Sequence, residues 1–145
     1  MTRTQHVITI INDICVEANL TVLDQYVESD QVLIDKSAYS FIINESEESF
    51  YEDNLAFQMT SVILCYIDFR LDDFADNFTD KKNEILQSIE DARITANLTL
   101  MEGIDNFYLT SSVPKIVSVA GTFDTNNRKG ILDIIFEIKT LASPK

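Results

Sequence analysis

The sequence predicts an α+β fold: a mixed, mainly antiparallel sheet with two principal helices packed on it and a C-terminal β-hairpin. Three observations lead to this prediction. Apolar residues recur at helical spacing in two segments, they alternate over residues 57 to 71, and they alternate again on both sides of the turn-forming segment 124 to 130, DTNNRKG. Because no internal repeat or composition break divides the chain, we expect one domain, residues 1 to 145.

Two amphipathic helices are predicted. The first covers residues 7 to 18, with Thr4 as candidate N-cap, and the second covers residues 79 to 96, with Thr79 as candidate N-cap and Asp80 in its first turn. The apolar stripe of the first consists of Val7, Ile11, Ile14, Cys15 and Ala18. The stripe of the second consists of Phe78, Ile85, Leu86, Ile89, Ala92 and Ala96, with Lys82 at its edge.

The strongest strand pattern lies in residues 57 to 71. Odd positions are apolar almost throughout, whereas even positions are apolar only in the middle, so one face should be buried and the other half-buried. The buried set is Ile63, Cys65, Ile67 and Phe69, and the half-buried set is Val62, Leu64 and Tyr66. A sheet of this size does not close into a barrel, so its exposed edges and half-buried face are candidate contact surfaces.

The remaining segments give weaker patterns. Residues 19 to 36 are expected to be a loop with a short extended piece, followed by a short strand that ends at Asn44. Residues 97 to 114 are read as a connection with room for a helical turn, and residues 143 to 145 as a frayed end. Residues 115 to 123 and 131 to 141 should pair as the C-terminal hairpin.

The chain is acidic, with 24 Asp and Glu against 11 Lys and Arg and a formal net charge of −13. Because affinity for a nucleic-acid backbone comes from basic side chains that displace counterions, this balance argues against nucleic-acid binding. Two acidic segments are expected to be solvated loops that form an interaction surface: Glu45, Glu47, Glu48, Glu52 and Asp53 in the first, and Asp72 and Asp73 in the second. Neither has the glycine and terminal glutamate of an EF-hand loop, so no metal site is predicted.

The sequence contains no recognisable catalytic constellation. His6 is the only histidine and is expected to be exposed at the start of the first helix, so Ser-His-Asp and Cys-His sites are excluded unless another chain contributes. Cys15 and Cys65 lie in apolar segments and are expected to be buried, reduced and without a role in activity. We therefore predict no enzyme activity and no cofactor. Neither a signal peptide nor a bilayer-spanning run is found, so neither export nor a membrane partner is expected.

The order of these elements resembles the tail-terminator, or tail-completion, proteins of long-tailed bacteriophages, a kind of minor tail protein. The likeness rests on the two helices, the strand run SVILCYIDFRL and the pair IVSVAGTF and ILDIIFEIKTL. It implies a non-enzymatic structural virion protein whose copies, usually six, form a ring that caps the tail tube and joins it to the head side. The implied partners are further copies, the tail-tube protein and a head-completion protein. DNA would only pass through the lumen, and the protein would occupy the virion tail after assembly in the host cytoplasm.

Two other classes of function remain open. A small acidic inhibitor or DNA mimic would use its negative charge to bind a basic enzyme as a monomer or dimer. A different assembly module, such as a head–tail connector or a secretion-system tube component, would share the structural role but have other partners. Native mass spectrometry separates the first class from a ring, because it reports the number of copies directly.

Overall fold

The computed structural model describes residues 3–23, 38–53, 56–70, 78–96, 99–104, 107–126 and 128–144. Within these ranges the chain forms two helices and seven strands, in the order α1 (Arg3–Glu17), β1 (Thr21–Leu23), β2 (Ala38–Asp53), β3 (Ala56–Arg70), α2 (Phe78–Ile94), β4 (Thr99–Ile104), β5 (Phe107–Ser111), β6 (Lys115–Asp124) and β7 (Lys129–Pro144). The predicted α+β class is confirmed. Neither described helix is both long and apolar enough to cross a membrane.

All the described strands belong to one sheet. The neighbours run in the order β1, β2, β3, β7, β5, β4, and β6 also pairs with β7. The β1–β2 pair is parallel, and the other described pairs are antiparallel. The long strand β7 has different partners along one edge, because its first part pairs with β6 and its last residues pair with β5. The predicted mixed, mainly antiparallel sheet and the C-terminal hairpin β6–β7 are therefore confirmed.

The core lies between one face of the sheet and the two helices. Both helices contribute apolar side chains to a single buried cluster with β3 and β7. In β3 the odd residues Ile63, Cys65, Ile67 and Phe69 are fully buried, and in β7 the even residues Leu132, Ile134, Phe136 and Ile138 are too. Register places these two rows side by side. Both helical stripes are buried or half-buried as predicted, and so are the two faces of β3.

Asn19 lies just after the end of α1 and changes the direction of the chain. Asn19 adopts a left-handed conformation with φ of 63°, which asparagine tolerates better than most residues. The N–H of Leu20 then donates to the carbonyl of Cys15 at 2.9 Å, and the N–H of Asn19 donates to that of Val16 at 3.0 Å. These bonds satisfy carbonyls that a helix end leaves free, and they turn the chain into β1.

The helix starts lie earlier than expected. Thr4 and Thr79 fall inside α1 and α2, which begin at Arg3 and Phe78, so both N-cap predictions are wrong. At the start of α2 the ring of Phe78 stacks on that of Phe69, with centroids 5.8 Å apart. Asp80 does lie in the first turn of α2, as predicted.

The acidic segment 45 to 53 is a strand and not a loop, so that prediction is wrong. β2 runs through Asn44 to Asp53 and pairs with β3 along almost its whole length. The register shifts between Ile43, which pairs with Leu64, and Ser46, which pairs with Ile63. Asn44 therefore marks a bulge where the sequence indicated an end. Strand propensity depends strongly on context, and here the neighbouring strand outweighs a composition typical of loops.

Two other expectations about irregular segments are also wrong. Residues 99 to 111 contain the antiparallel strands β4 and β5 where a connection was expected. Residues 143 and 144 belong to β7 and pair with Tyr108 and Phe107 of β5, so they are not frayed. Both differences have one cause, since the end of β7 supplies the backbone partners for β5, and this long-range pairing leaves no local sequence pattern. The short extended piece expected before residue 36 is present as β1.

Contacts at both ends of α2 place it along the C-terminal hairpin. Near its end, Arg93 donates to the carbonyl of Pro114 at 3.2 Å, just before β6 begins. At its start, Phe78 lies against Phe123 near the end of β6, with ring centroids 5.8 Å apart. The helix therefore runs antiparallel to β6, and most β6 side chains remain exposed. Arg93 also hydrogen-bonds Glu90 and so lowers the pKa of that carboxyl.

Candidate functional site

The predicted acidic surface falls partly in a described strand and partly outside the described residues. Five of its residues, Glu45, Glu47, Glu48, Glu52 and Asp53, lie in the single strand β2. The other two, Asp72 and Asp73, fall outside the described residues. The segment from Ala38 to Asp53 holds these five acidic residues and no basic one. Five of the 16 residues of β2 are therefore acidic, and β2 lies next to the terminal strand β1 of the described sheet.

β6 and β4 form the opposite edge of the described sheet, and the chemistry of β6 differs from that of β2. Eight consecutive residues, 116 to 123, carry no charge, and residues 115 to 129 hold three basic side chains and one acidic one. Most β6 side chains are exposed, including Val117 at 44% and Val119 at 37%. Among the described strands, β6 pairs with β7 alone, so its outer edge presents unpaired backbone groups.

Such an edge is a candidate interaction site. Native proteins usually blunt a free strand edge with charges, proline or a covering element, because it otherwise recruits another strand. Residues 116 to 123 contain no charge and no proline. The sequence predicted β6 as a strand but not as the edge of the sheet. The available indication was the long uncharged run, which is unusual in a chain with 24% charged residues.

His6 is buried, so the prediction that it is exposed is wrong. It is 4% exposed, and its Nε2 lies 3.1 Å from Oγ of Ser111 at the end of β5. Ser111 Oγ lies 3.2 Å from Oγ1 of Thr140 in β7, which is fully buried. The sequence did contain an indication, because His6, Ile10 and Ile14 follow the helical spacing of the buried stripe.

The hydrogen-bonded series His6–Ser111–Thr140 connects α1 to β5 and β7. A histidine next to a serine hydroxyl can activate a nucleophile, but a nucleophile must reach its substrate. Ser111 is only 5% exposed, so this pair is closed to a substrate in the described conformation. Its clear effect is structural, since each hydroxyl and the imidazole obtain a hydrogen-bond partner beneath the helix, which avoids the cost of burying them unpaired.

Burial lowers the pKa of His6 below its ordinary value of 6.5, because the charged imidazolium loses its solvation. As the pH falls through 6.5, the unfolded chain binds a proton that the folded chain resists, so stability should decrease until the folded-state pKa is reached. The loss is at most about 1.4 kcal/mol per pH unit. We expect His6→Gln to lack this decrease between about pH 7.5 and 5.5, as measured by urea unfolding. Parallel pH profiles for the two proteins would contradict the assignment.

The two cysteines belong to the core. Both are free and fully buried, as the sequence predicted. A hydrogen bond with the Cys15 thiol, together with burial, raises the pKa of Cys65, which keeps that thiol protonated and unreactive. Among the residues whose side chains are described, no group of three or more His, Cys, Asp or Glu is arranged to hold a metal ion.

The described residues form an α+β domain in which two helices pack on one face of a sheet and β6 lies at an exposed edge. No protein-family model matches the sequence, and no curated protein matches it. Among solved structures, the chain is similar to one in "Virion of native gene transfer agent (GTA) particle". The TM-score is 0.56 with 8% sequence identity, and the match covers 95% of this chain and 93% of that chain. At this identity the likeness shows a shared fold.

Proposed function

We propose that the protein is a structural component of a tailed, phage-like particle, and that a ring of its copies caps the tail tube and joins it to the head side. The observation that carries the proposal is the fold, which matches a chain of a gene transfer agent virion over 95% of the present chain. The resemblance of the element order to tail terminators gives the finer assignment. It comes from the sequence and is independent of that match.

The described surfaces are consistent with an assembly role. The buried polar chain at His6 is occupied with internal contacts, whereas the backbone edge of β6 is available to another strand. The net charge of −13 also suits a protein that lines or borders a DNA channel, because like charges prevent the DNA from adhering to the wall. The partners would be further copies, the tube protein and a head-completion protein.

A DNA-mimicking inhibitor is the second candidate, and one observation favours it: five acidic residues lie in the single strand β2. Such an inhibitor would bind a basic enzyme mainly through charge, so raising the salt from about 0.05 to 0.5 M should weaken the complex strongly. The uncharged, exposed edge of β6 has no use in that mode of binding. Its presence favours association through strands.

The test is to disrupt the gene in the genome that encodes the chain. We expect particles to separate into heads and unattached tail tubes of irregular length, because a tube without its cap continues to polymerise and cannot join the head. Negative-stain electron microscopy measures tube length and the fraction of joined particles, and expression of the intact gene in trans is the control. Joined particles with tails of normal length in the disrupted strain would overturn the proposal. Gold-labelled antibody against the chain should mark the head-proximal end of wild-type tails.

A further inference from the structure

We infer that copies of this chain associate head to tail through their sheets, with the outer edge of β6 in one copy pairing with the outer edge of β2 in the next. The inference rests on the proposed function, since it names the surface through which the ring would form. The partner at the β6 edge is a second copy of the chain, and the part of that copy that binds is an extended strand. Three features of the described residues carry it.

The first feature is the open edge of β6. This strand of 10 residues is hydrogen-bonded to β7 on one side, and no described strand pairs with its other side. The backbone groups of an exposed edge are hydrogen-bonded to water, and an extended strand from another chain can replace that water in register. The exposed valines, Val117 and Val119, would gain contacts when a neighbouring strand covers them.

The second feature is the length of β2. It has 16 residues, yet β1 pairs only with Tyr39–Phe41 at its outer side. Of the described residues, none pairs with the outer side of β2 beyond Phe41. The stretch from residue 42 to Asp53 is therefore long enough to accept the whole of β6 from another copy.

The third feature is charge, and it selects this pairing over its alternatives. Two β2 strands side by side would bring together two sets of five acidic residues, and two β6 strands would bring together two sets of the exposed basic residues that flank β6, Lys115 and Arg128. Pairing β6 with β2 instead places the less acidic edge next to the more acidic one. Because the two surfaces are different, a copy that is bound through one of them still presents the other, and such contacts close into a ring when the rotation between copies permits.

A matched pair of substitutions tests the role of β6. Thr122 is exposed in β6, and Thr110 is exposed in β5, where β4 and β7 occupy both sides. Thr122→Glu adds a negative charge to the edge that should meet β2, whereas Thr110→Glu makes the same change in an interior strand. In sedimentation velocity over a concentration series, we expect Thr122→Glu to raise the concentration of half-assembly by about tenfold or more, and Thr110→Glu to leave it unchanged. Equal behaviour of the two variants would refute the inference.

A charge exchange tests the role of β2. The double variant Glu47→Lys, Glu48→Lys should also assemble poorly alone, since its β2 edge repels the basic flank of β6. Mixed with Thr122→Glu, it should recover assembly into alternating oligomers, which native mass spectrometry resolves by mass. If β6 paired with β6, the Glu47→Lys, Glu48→Lys variant would assemble normally without the second protein, and the inference would be wrong.

The same experiments keep the inference separate from the proposed function. If neither Thr122→Glu nor the Glu47→Lys, Glu48→Lys variant changes oligomer formation, the β6–β2 contact is overturned and the proposed capping role is not affected. The same conclusion follows from a wild-type chain that remains monomeric yet is found by gold labelling at the ends of tails. Conversely, assembly that depends on Thr122, combined with normal joined tails after gene disruption, supports the contact and overturns the capping role.

Discussion

Replacing Ile63 with aspartate is expected to unfold the protein. Ile63 is fully buried at the centre of β3, and it pairs with Phe136 of β7, which is fully buried too. An aspartate there would place a carboxylate in an apolar layer with no basic partner expected, at a cost on the order of 5 kcal/mol or more. Domains of this size are typically stable by only about 5 to 15 kcal/mol.

The measurement is circular dichroism with thermal melting, and the control is Leu141→Asp. Leu141 is 41% exposed in β7, so the same kind of substitution leaves its carboxylate in contact with water, and we expect a change within about 1 kcal/mol. A folded Ile63→Asp protein with an unchanged melting temperature would show that the buried face of β3 has been assigned to the wrong side. A one-residue change of register would produce that result.

The second large effect is expected at Gly130, because no side chain fits there. A Cβ at this position would lie 2.1 Å from Cζ of Phe69, and 2.4 and 2.6 Å from the two Cε atoms of the same ring. Gly130 is the register partner of both Phe69 and Phe123, and the rings of these two residues contact Phe78. The aromatic cluster thus occupies the space above the glycine.

Gly130→Ala should therefore cost roughly 3 kcal/mol or more, because Phe69 is fully buried and cannot move without displacing Phe78. Gly121→Ala is the matched control: its Cβ would lie 3.3 Å from Cζ of Phe78 and 3.4 Å from Cδ2 of Leu132, contacts that small shifts relieve. We expect that change to stay within about 1 kcal/mol. Urea unfolding measures both.

A double-mutant cycle identifies the cause. If the clash with Phe69 is responsible, Gly130→Ala combined with Phe69→Leu should cost clearly less than the two single changes added together, with a coupling of about 1 kcal/mol or more. Strict additivity would instead point to the backbone at Gly130. It would argue against a steric contact between the two residues.

Several elements could be predicted from the sequence because their patterns are local. The alternation from residue 57 to 71 identifies β3 and its buried face, since only one register buries Ile63, Cys65, Ile67 and Phe69 together. The helical spacing of apolar residues identifies α1 and α2 in the same way. The segment DTNNRKG separates two alternating runs and so predicts the hairpin β6–β7.

Other features depend on residues far apart in the chain. The acidic half of β2 becomes a strand because β3 lies beside it, and β5 exists because the end of β7 accepts it. His6 is buried where α1 meets the sheet, and its partner there, Ser111, lies 105 residues later in the chain. The exposed edge of β6 is another such feature. The sequence of β6 predicts an extended strand, but it does not predict whether that strand lies at the edge of the sheet.

The sequence by itself determined which segments of this protein are helices, which of their sides are apolar and how its last two strands pair. These properties follow from the backbone periods of about 3.6 and 2 residues, which act within a single segment. Only the tertiary structure decided the partners of each strand, the closed environment of His6, the glycine required opposite Phe69 and the free edge of β6. The physical reason is that a backbone hydrogen bond between strands has the same chemistry at every residue, so the choice of partner comes from packing the whole chain around one core.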